Sequence, residues 1–150
     1  MTAASSPTSQ PGPVSGQPGQ PGQPGPSGPV VGIGTDVVDV DRFRRSMART
    51  PGLVDRLFTA DERAYAERRR DPTERYAVRF AAKEAAMKAM GLGIGAFPWR
   101  DVEVVRADSG APSLVLHRRA AAVAREHGVS GWRLTLSHTA TVAQAVALAL

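Results

Sequence analysis

The pattern of apolar residues predicts an α+β fold in which a long central helix packs on a small antiparallel sheet. Three observations lead there. An apolar, glycine-containing run begins at Val30, helical periodicity persists from Asp39 to Met90, and period-two alternation returns from Val102 onward. Composition marks where this fold begins. Residues 1–29 carry 8 Pro, 6 Gly and no charged residue, so all 19 basic and 14 acidic side chains fall within 30–150. A tail of that composition buries too little to offset its ordering entropy and is expected to be disordered. Gly16, Gly19, Gly22, Gly25 and Gly28 keep a collagen-like Gly-X-Y spacing, but the repeat is too short for a stable triple helix. Residues 30–150 are expected to form one domain around one core.

Each element has a local reason. Val30 to Val38 reads as a buried strand, with Gly32 and Gly34 allowing close backbone approach. Val40, Phe43 and Met47 recur at helical spacing until Pro51-Gly52 interrupts, and Leu53 and Leu57 suggest one further short turn. Thr59-Ala-Asp-Glu62 has capping-box spacing and predicts a helix from Ala60 to about Arg70. Asp71-Pro72-Thr73-Glu74 then opens the central helix, with Pro72 at its first position; the helix should run to Met90 and stop at Gly91. Val102–Arg106 and Ser113–Leu116 flank a turn and predict a hairpin. Arg118–His127 reads as an alanine-rich helix ended by Gly128, and Trp132–Ser137 as a strand. For Thr141–Leu150, propensity alone does not separate helix from strand.

Composition also narrows function. The absence of cysteine excludes disulfide frameworks, thiolate zinc sites and cysteine nucleophiles. No apolar run reaches the roughly 20 residues of a membrane helix, and the first residues lack the basic and hydrophobic regions of a leader. A soluble cytoplasmic protein without a membrane partner is expected. Net charge is +5, and residues 42–79 hold 11 Arg against 6 acids. That patch favours an anionic partner, unless it is simply a solvated surface. Of the 19 basic residues 17 are Arg, and the two lysines, Lys83 and Lys88, both lie in FAAKEAAMK. Lysine is a compact point charge where arginine is a planar fork, so a phosphate contact or a proton donor would favour it.

Several pieces could carry chemistry. Glu84 and Lys88, four residues apart, share a helix face with Phe80 one turn back; alone they would be an ordinary surface pair. Asp36 follows Gly-Ile-Gly-Thr at a strand end, without the third glycine of a dinucleotide fingerprint. Gly91-Leu-Gly93-Ile-Gly95 lacks a P-loop ending but offers backbone N–H groups; alone it is a helix cap and turn. His138 follows a strand, with no nucleophile elbow and no paired-histidine zinc spacing nearby. Together the pieces point to phosphoryl transfer. Asp36 and Glu84 are hard oxygen ligands suited to Mg²⁺, and Lys88 with the arginines would neutralise a diphosphate.

The motifs VVGIGTDVVDVDRF, RFAAKEAAMKAMGLGIG and LSHTATVAQAVAL, in this order and spacing, resemble those of the holo-acyl-carrier-protein synthases, the small-subunit class of 4'-phosphopantetheinyl transferases. The resemblance covers 30–150 and not the tail. It implies the phosphopantetheinyl transferase fold. It also implies Mg²⁺-dependent transfer of 4'-phosphopantetheine from CoA to a serine of apo acyl carrier protein, releasing adenosine 3',5'-bisphosphate and serving fatty acid or polyketide biosynthesis. Asp36 and Glu84 would hold the metal and Lys88 the phosphates. Gly91 to Gly95, including Gly93, would line the diphosphate and pantetheine path. His138 would lie near the nucleotide, and Arg69 and Arg70, with Arg68, would hold the 3'-phosphate. The proton acceptor would be Glu84 or a water on the metal. Arg42, Arg45 and Arg49 form one stripe that would meet the acidic carrier protein. Homotrimers with active sites at subunit interfaces are the family's usual assembly. A nucleic-acid-binding domain would explain the arginines but not the set Asp36, Glu84 and Lys88, so no nucleic-acid partner is expected. A catalytically dead carrier-binding module is disfavoured because the metal and lysine positions are intact.

Overall fold

The computed structural model describes residues 27–150. Residues 1–26 of the expected disordered tail, with its Gly-X-Y repeat up to Gly25, lie outside the described residues. Strand β1 (Gly32–Asp39) leads into helices α1 (Val40–Arg49), α2 (Leu53–Leu57), α3 (Ala60–Ala66) and α4 (Thr73–Ala89). A 3₁₀ turn at Trp99–Asp101 is followed by β2 (Val102–Arg106), β3 (Pro112–Leu116), α5 (Arg118–Glu126), β4 (Trp132–His138) and β5 (Val142–Ala149). The main sheet has the order β1-β5-β4, antiparallel throughout, and β2-β3 is a separate hairpin. The α+β expectation holds.

The helix starts are written in side chains. Asp39 accepts from the Arg42 N–H at 2.7 Å and opens α1. Thr59 and Glu62 form the reciprocal capping box of α3. Asp71 accepts from both the N–H and the hydroxyl of Thr73, at 3.0 and 2.6 Å. These bonds and Arg44 hold the Asp71 carboxyl low, at about 2. Pro72 therefore sits at the cap of α4 rather than at its first helical position. Helix α3 ends at Ala66, not near Arg70. Arg68, Arg69 and Arg70 are exposed, so no apolar packing supports a further turn, and short helices depend on such packing.

Residues 142–149 are a strand because they lie between two others. β5 pairs with β1 on one side and β4 on the other. Ala143, Ala145, Ala147 and Ala149 alternate inward and are buried. Ala145, Ala147 and Ala149 meet a helix face of equally small residues, Ala81, Ala82, Ala85, Ala86 and Ala89. The closest approach is at β1. A Cβ on Gly34 would stand 2.0 Å from the Ala85 carbonyl oxygen, and one on Gly32 would stand 1.9 Å from that of Ala89.

One buried ion pair ties the remaining elements to α4. Lys83 Nζ donates to Glu62 Oε2 at 2.7 Å and to the carbonyls of Leu57 and Trp99 at 2.8 and 3.2 Å. Glu62 also accepts from the backbone N–H groups of Thr59 and Val104. Both side chains are fully shielded from solvent. Lys83, one of the two lysines that stood out in the sequence, is thus committed to the interior.

Gly34→Ala is expected to destabilise the protein by about 3 kcal/mol, because the added methyl must push β1 off α4. Chemical denaturation would measure it, with Gly93→Ala, where a Cβ meets nothing within 4 Å, as the neutral comparison.

Candidate active site

Alternation along β1 puts Asp36 on the same face as Gly32 and Gly34, toward α4. Its carboxylate is mostly buried and accepts from Lys88 Nζ at 2.8 Å; the same ammonium donates to the Thr35 carbonyl at 3.0 Å. Glu84 lies one turn before Lys88 on α4. Its carboxyl is raised above the ordinary value, first by burial and then by the charge of Asp36 beside it, with Lys88 acting in the opposite direction. Lys88 is held above its ordinary value by its hydrogen bond and attraction to Asp36. The lysine bridges across to β1 instead of closing an i,i+4 pair with Glu84. Asp36, Glu84 and Lys88 therefore form one cluster built by two elements.

Two carboxylates held side by side against their repulsion suit a hard divalent cation. Among the described residues no cluster of three or more potential metal ligands occurs, so water and phosphate oxygens would have to complete the shell. Mg²⁺, which keeps several waters and takes one or two carboxylates, fits that donor set.

The carboxylates line a cleft of about 520 Å³ whose apolar wall is Phe43, Leu53, Leu57, Phe80 and Trp99. The Phe80 ring bridges Phe43 and Trp99, with centroid distances of 5.4 and 5.0 Å. Arg42 stands in the same cleft. Arg45 and Arg49 are exposed on α1 and have no carboxylate partner among the described residues. Arg44, which the stripe omits, is paired with Asp41 and Asp71. Sequence spacing placed Phe80 beside Glu84, but nothing local marked Trp99.

Gly91 has a φ of 69°, the left-handed conformation that ends α4. Its N–H bonds to the Lys88 carbonyl and that of Leu92 to Met87. Gly91 and Gly93 thus form an exposed loop directly after Lys88.

A second cleft, of about 290 Å³, contains His138 and Arg69 together with Arg75, Arg79 and Arg106, and its rim also carries the carboxylates Asp71 and Glu74. His138 Nδ1 is 3.4 Å from Glu74 Oε2. Arg70 is exposed and outside this lining, while Arg68 stacks at 5.6 Å over Tyr65. Among the described residues none of the four lining arginines is paired with a carboxylate. Arg79 is 4% exposed and its Nε has no hydrogen-bond partner. Arg75 and Arg79 escaped sequence reasoning because a buried arginine on an alanine-rich helix looks like any exposed one. Their spacing of four was the available signal.

No helix among the described residues is long and apolar enough to cross a membrane.

Comparison with known proteins bears on the whole arrangement. The family model described as the 4'-phosphopantetheinyl transferase superfamily matches residues 32–146. A holo-[acyl-carrier-protein] synthase of Moorella thermoacetica is 46% identical over 115 residues, covering 77% of this chain and 90% of the relative. One from Frankia casuarinae is 49% identical over 120 residues, covering 80% and 97%. The crystal structure of the Neisseria meningitidis synthase superposes with a TM-score of 0.74 at 30% identity, covering 81% of this chain and 98% of that one. The Bacillus anthracis enzyme, solved in complex with CoA (3',5'-ADP), gives a TM-score of 0.67 at 32% identity, covering 80% and 96%. The match in sequence, fold and motif order means that this chain belongs to the 4'-phosphopantetheinyl transferase superfamily, among the holo-[acyl-carrier-protein] synthases.

Proposed function

We propose that the protein transfers 4'-phosphopantetheine from CoA to a serine of an apo acyl carrier protein, releasing adenosine 3',5'-bisphosphate. The observation that carries this reading is the convergence of Asp36, Glu84 and Lys88 at a cleft that also holds Arg42. The activity is assigned to residues 30–150, with 1–29 outside it, and to the cytoplasm, in fatty acid or polyketide biosynthesis.

The serine hydroxyl oxygen forms a bond to the β-phosphorus of CoA while the bond from that phosphorus to the bridging oxygen breaks. Asp36 and Glu84 would hold Mg²⁺, which supplies charge neutralisation on the diphosphate. The hydroxyl proton would pass to Glu84 or to a water held beside Asp36. Lys88 offers a compact positive charge to the phosphates and favours departure of the bisphosphate. Gly91 and Gly93, following Lys88 without side chains, leave room for the diphosphate and pantetheine. The apolar wall from Phe43 to Trp99 excludes water from the reacting atoms.

The second cleft suits the nucleotide end of CoA. Arg69, Arg75, Arg79 and Arg106 outnumber the two carboxylates of the lining, Asp71 and Glu74, and form no ion pair with them, and His138 adds a further donor, so the 3'-phosphate is the natural counterion. Arg42, Arg45 and Arg49 meet the acidic carrier protein, Arg42 nearest the carboxylates.

A homotrimer completes the reading. The sheet face turned away from α4 leaves Ile33 66% and Val37 59% exposed, continuous with Val142 on β5. Single apolar residues on a surface are common, but a row across paired strands suits a subunit interface.

Mass spectrometry of an apo carrier protein after incubation with CoA, Mg²⁺ and the protein should show the gain of one phosphopantetheine. Asp36→Ala and Glu84→Ala should each abolish that gain, and full activity in either variant would refute the metal assignment. Arg42→Glu should raise KM for the carrier at least about tenfold while leaving CoA affinity nearly unchanged; equal loss of both would refute the division of labour. Light scattering should report a trimer that Ile33→Asp dissociates.

A further inference from the structure

The arginine cleft is organised around a residue that no motif accounts for. Tyr65 lies near the end of α3 and holds arginines with three different parts of itself. Its carbonyl accepts from Arg75 at 2.7 Å. Its hydroxyl accepts from Arg106 at 2.7 Å. Its ring lies 4.2 Å from the Arg79 guanidinium carbon and 4.6 Å from that of Arg75. Arg75 and Arg79 come from α4 and Arg106 from β2. No single element therefore fixes the three guanidinium groups relative to one another; Tyr65 touches all of them.

The chemistry of a phenol matters here. Three guanidinium groups repel one another, and the ring quadrupole and the hydroxyl oxygen reduce that repulsion without a full negative charge. A carboxylate at the same place would pair with the arginines and compete with an anionic ligand. Tyr65 leaves them ordered and still cationic, and Arg79 keeps its buried Nε unpartnered. The field acts back on the phenol. Burial pushes its pKa up, but Arg106, Arg75 and Arg79 outweigh that and bring it below the ordinary value.

We propose that Tyr65 is the positioning residue of this cleft, arranging Arg75, Arg79 and Arg106 into one site for a dianionic phosphate monoester. The inference rests on the reading of the cleft as the site of the CoA 3'-phosphate. It assigns Tyr65 to recognition of CoA and not to phosphoryl transfer.

Titration calorimetry on the full chain tests it, using adenosine 3',5'-bisphosphate and adenosine 5'-monophosphate as probes, beside steady-state transfer assays. Tyr65→Leu, which removes ring and hydroxyl, should weaken bisphosphate binding at least about tenfold and raise KM for CoA by a similar factor. Affinity for the 5'-monophosphate and kcat at saturating CoA should be unchanged. Tyr65→Phe, which keeps the ring, should lose about threefold. Unchanged bisphosphate affinity in Tyr65→Leu, or an equal loss for both nucleotides, would overturn the role of Tyr65. Should Tyr65→Leu fail to fold, wild-type affinity in Tyr65→Phe would overturn it alone. A wild-type protein that binds the two nucleotides equally would instead overturn the assignment of the cleft, and this inference with it.

Discussion

The buried ion pair between Lys83 and Glu62 is the constraint on which the rest of the structure depends. Removing two charges from water costs several kcal/mol per ion, and only a nearly complete set of hydrogen bonds offsets it. Here that set is present. The ammonium has three acceptors and the carboxylate takes two backbone N–H groups besides the lysine. Because the partners come from the end of α2, the start of α3, the 3₁₀ turn and β2, satisfying the pair fixes where those elements stand around α4. It also fixes the rotation of α4. With Lys83 turned inward, the next residue, Glu84, is carried about 100° around the helix, where it meets Asp36 of β1.

Helix α4 then serves three neighbours with three faces. Its alanines meet the glycines of β1 and the alanines of β5, which brings helix and sheet close enough for Lys88 to reach Asp36. Its aromatic position, Phe80, joins Phe43 and Trp99 in the cleft wall. Its first turns carry Arg75 and Arg79 to Tyr65. The small residues are therefore more than packing: a larger residue at Gly34 would lift the strand that carries Asp36 away from the helix that carries Glu84.

The two clefts are electrostatic opposites. One holds two carboxylates close together, partly balanced by Lys88, and the other holds four arginines against two carboxylates, Asp71 and Glu74, with no ion pair between them among the described residues. A substrate with a diphosphate that binds a divalent cation, and a separate phosphate monoester, has matching charges for both. On the proposed reading, the polarity of the protein would follow the polarity of CoA, and the exposed arginine stripe of α1 would remain for an acidic protein partner.

Much of this was legible in the sequence because it depends on neighbours along the chain. The onset of α1 at Asp39, the Thr59–Glu62 capping box, the end of α4 at Gly91, the β2-β3 hairpin and the shared face of Glu84 and Lys88 are all set by local sterics and hydrogen bonds. The motifs around Asp36, Glu84 and His138 likewise carried the family resemblance. Tertiary contacts decided the rest. Residues 142–149 became a strand because β1 and β4 flank them, a fact no propensity contains. Helix α3 stopped early because Arg68 to Arg70 found nothing to bury against. Of two lysines in one short motif, Lys83 went to the core and Lys88 to Asp36, since a difference of five positions turns a helix side chain by more than a quarter of a circle. The arginine cleft was the least visible feature: Arg75 and Arg79 share α4, but Tyr65 and Arg106 lie on α3 and β2, and only the packing of these three elements brings the groups to one place.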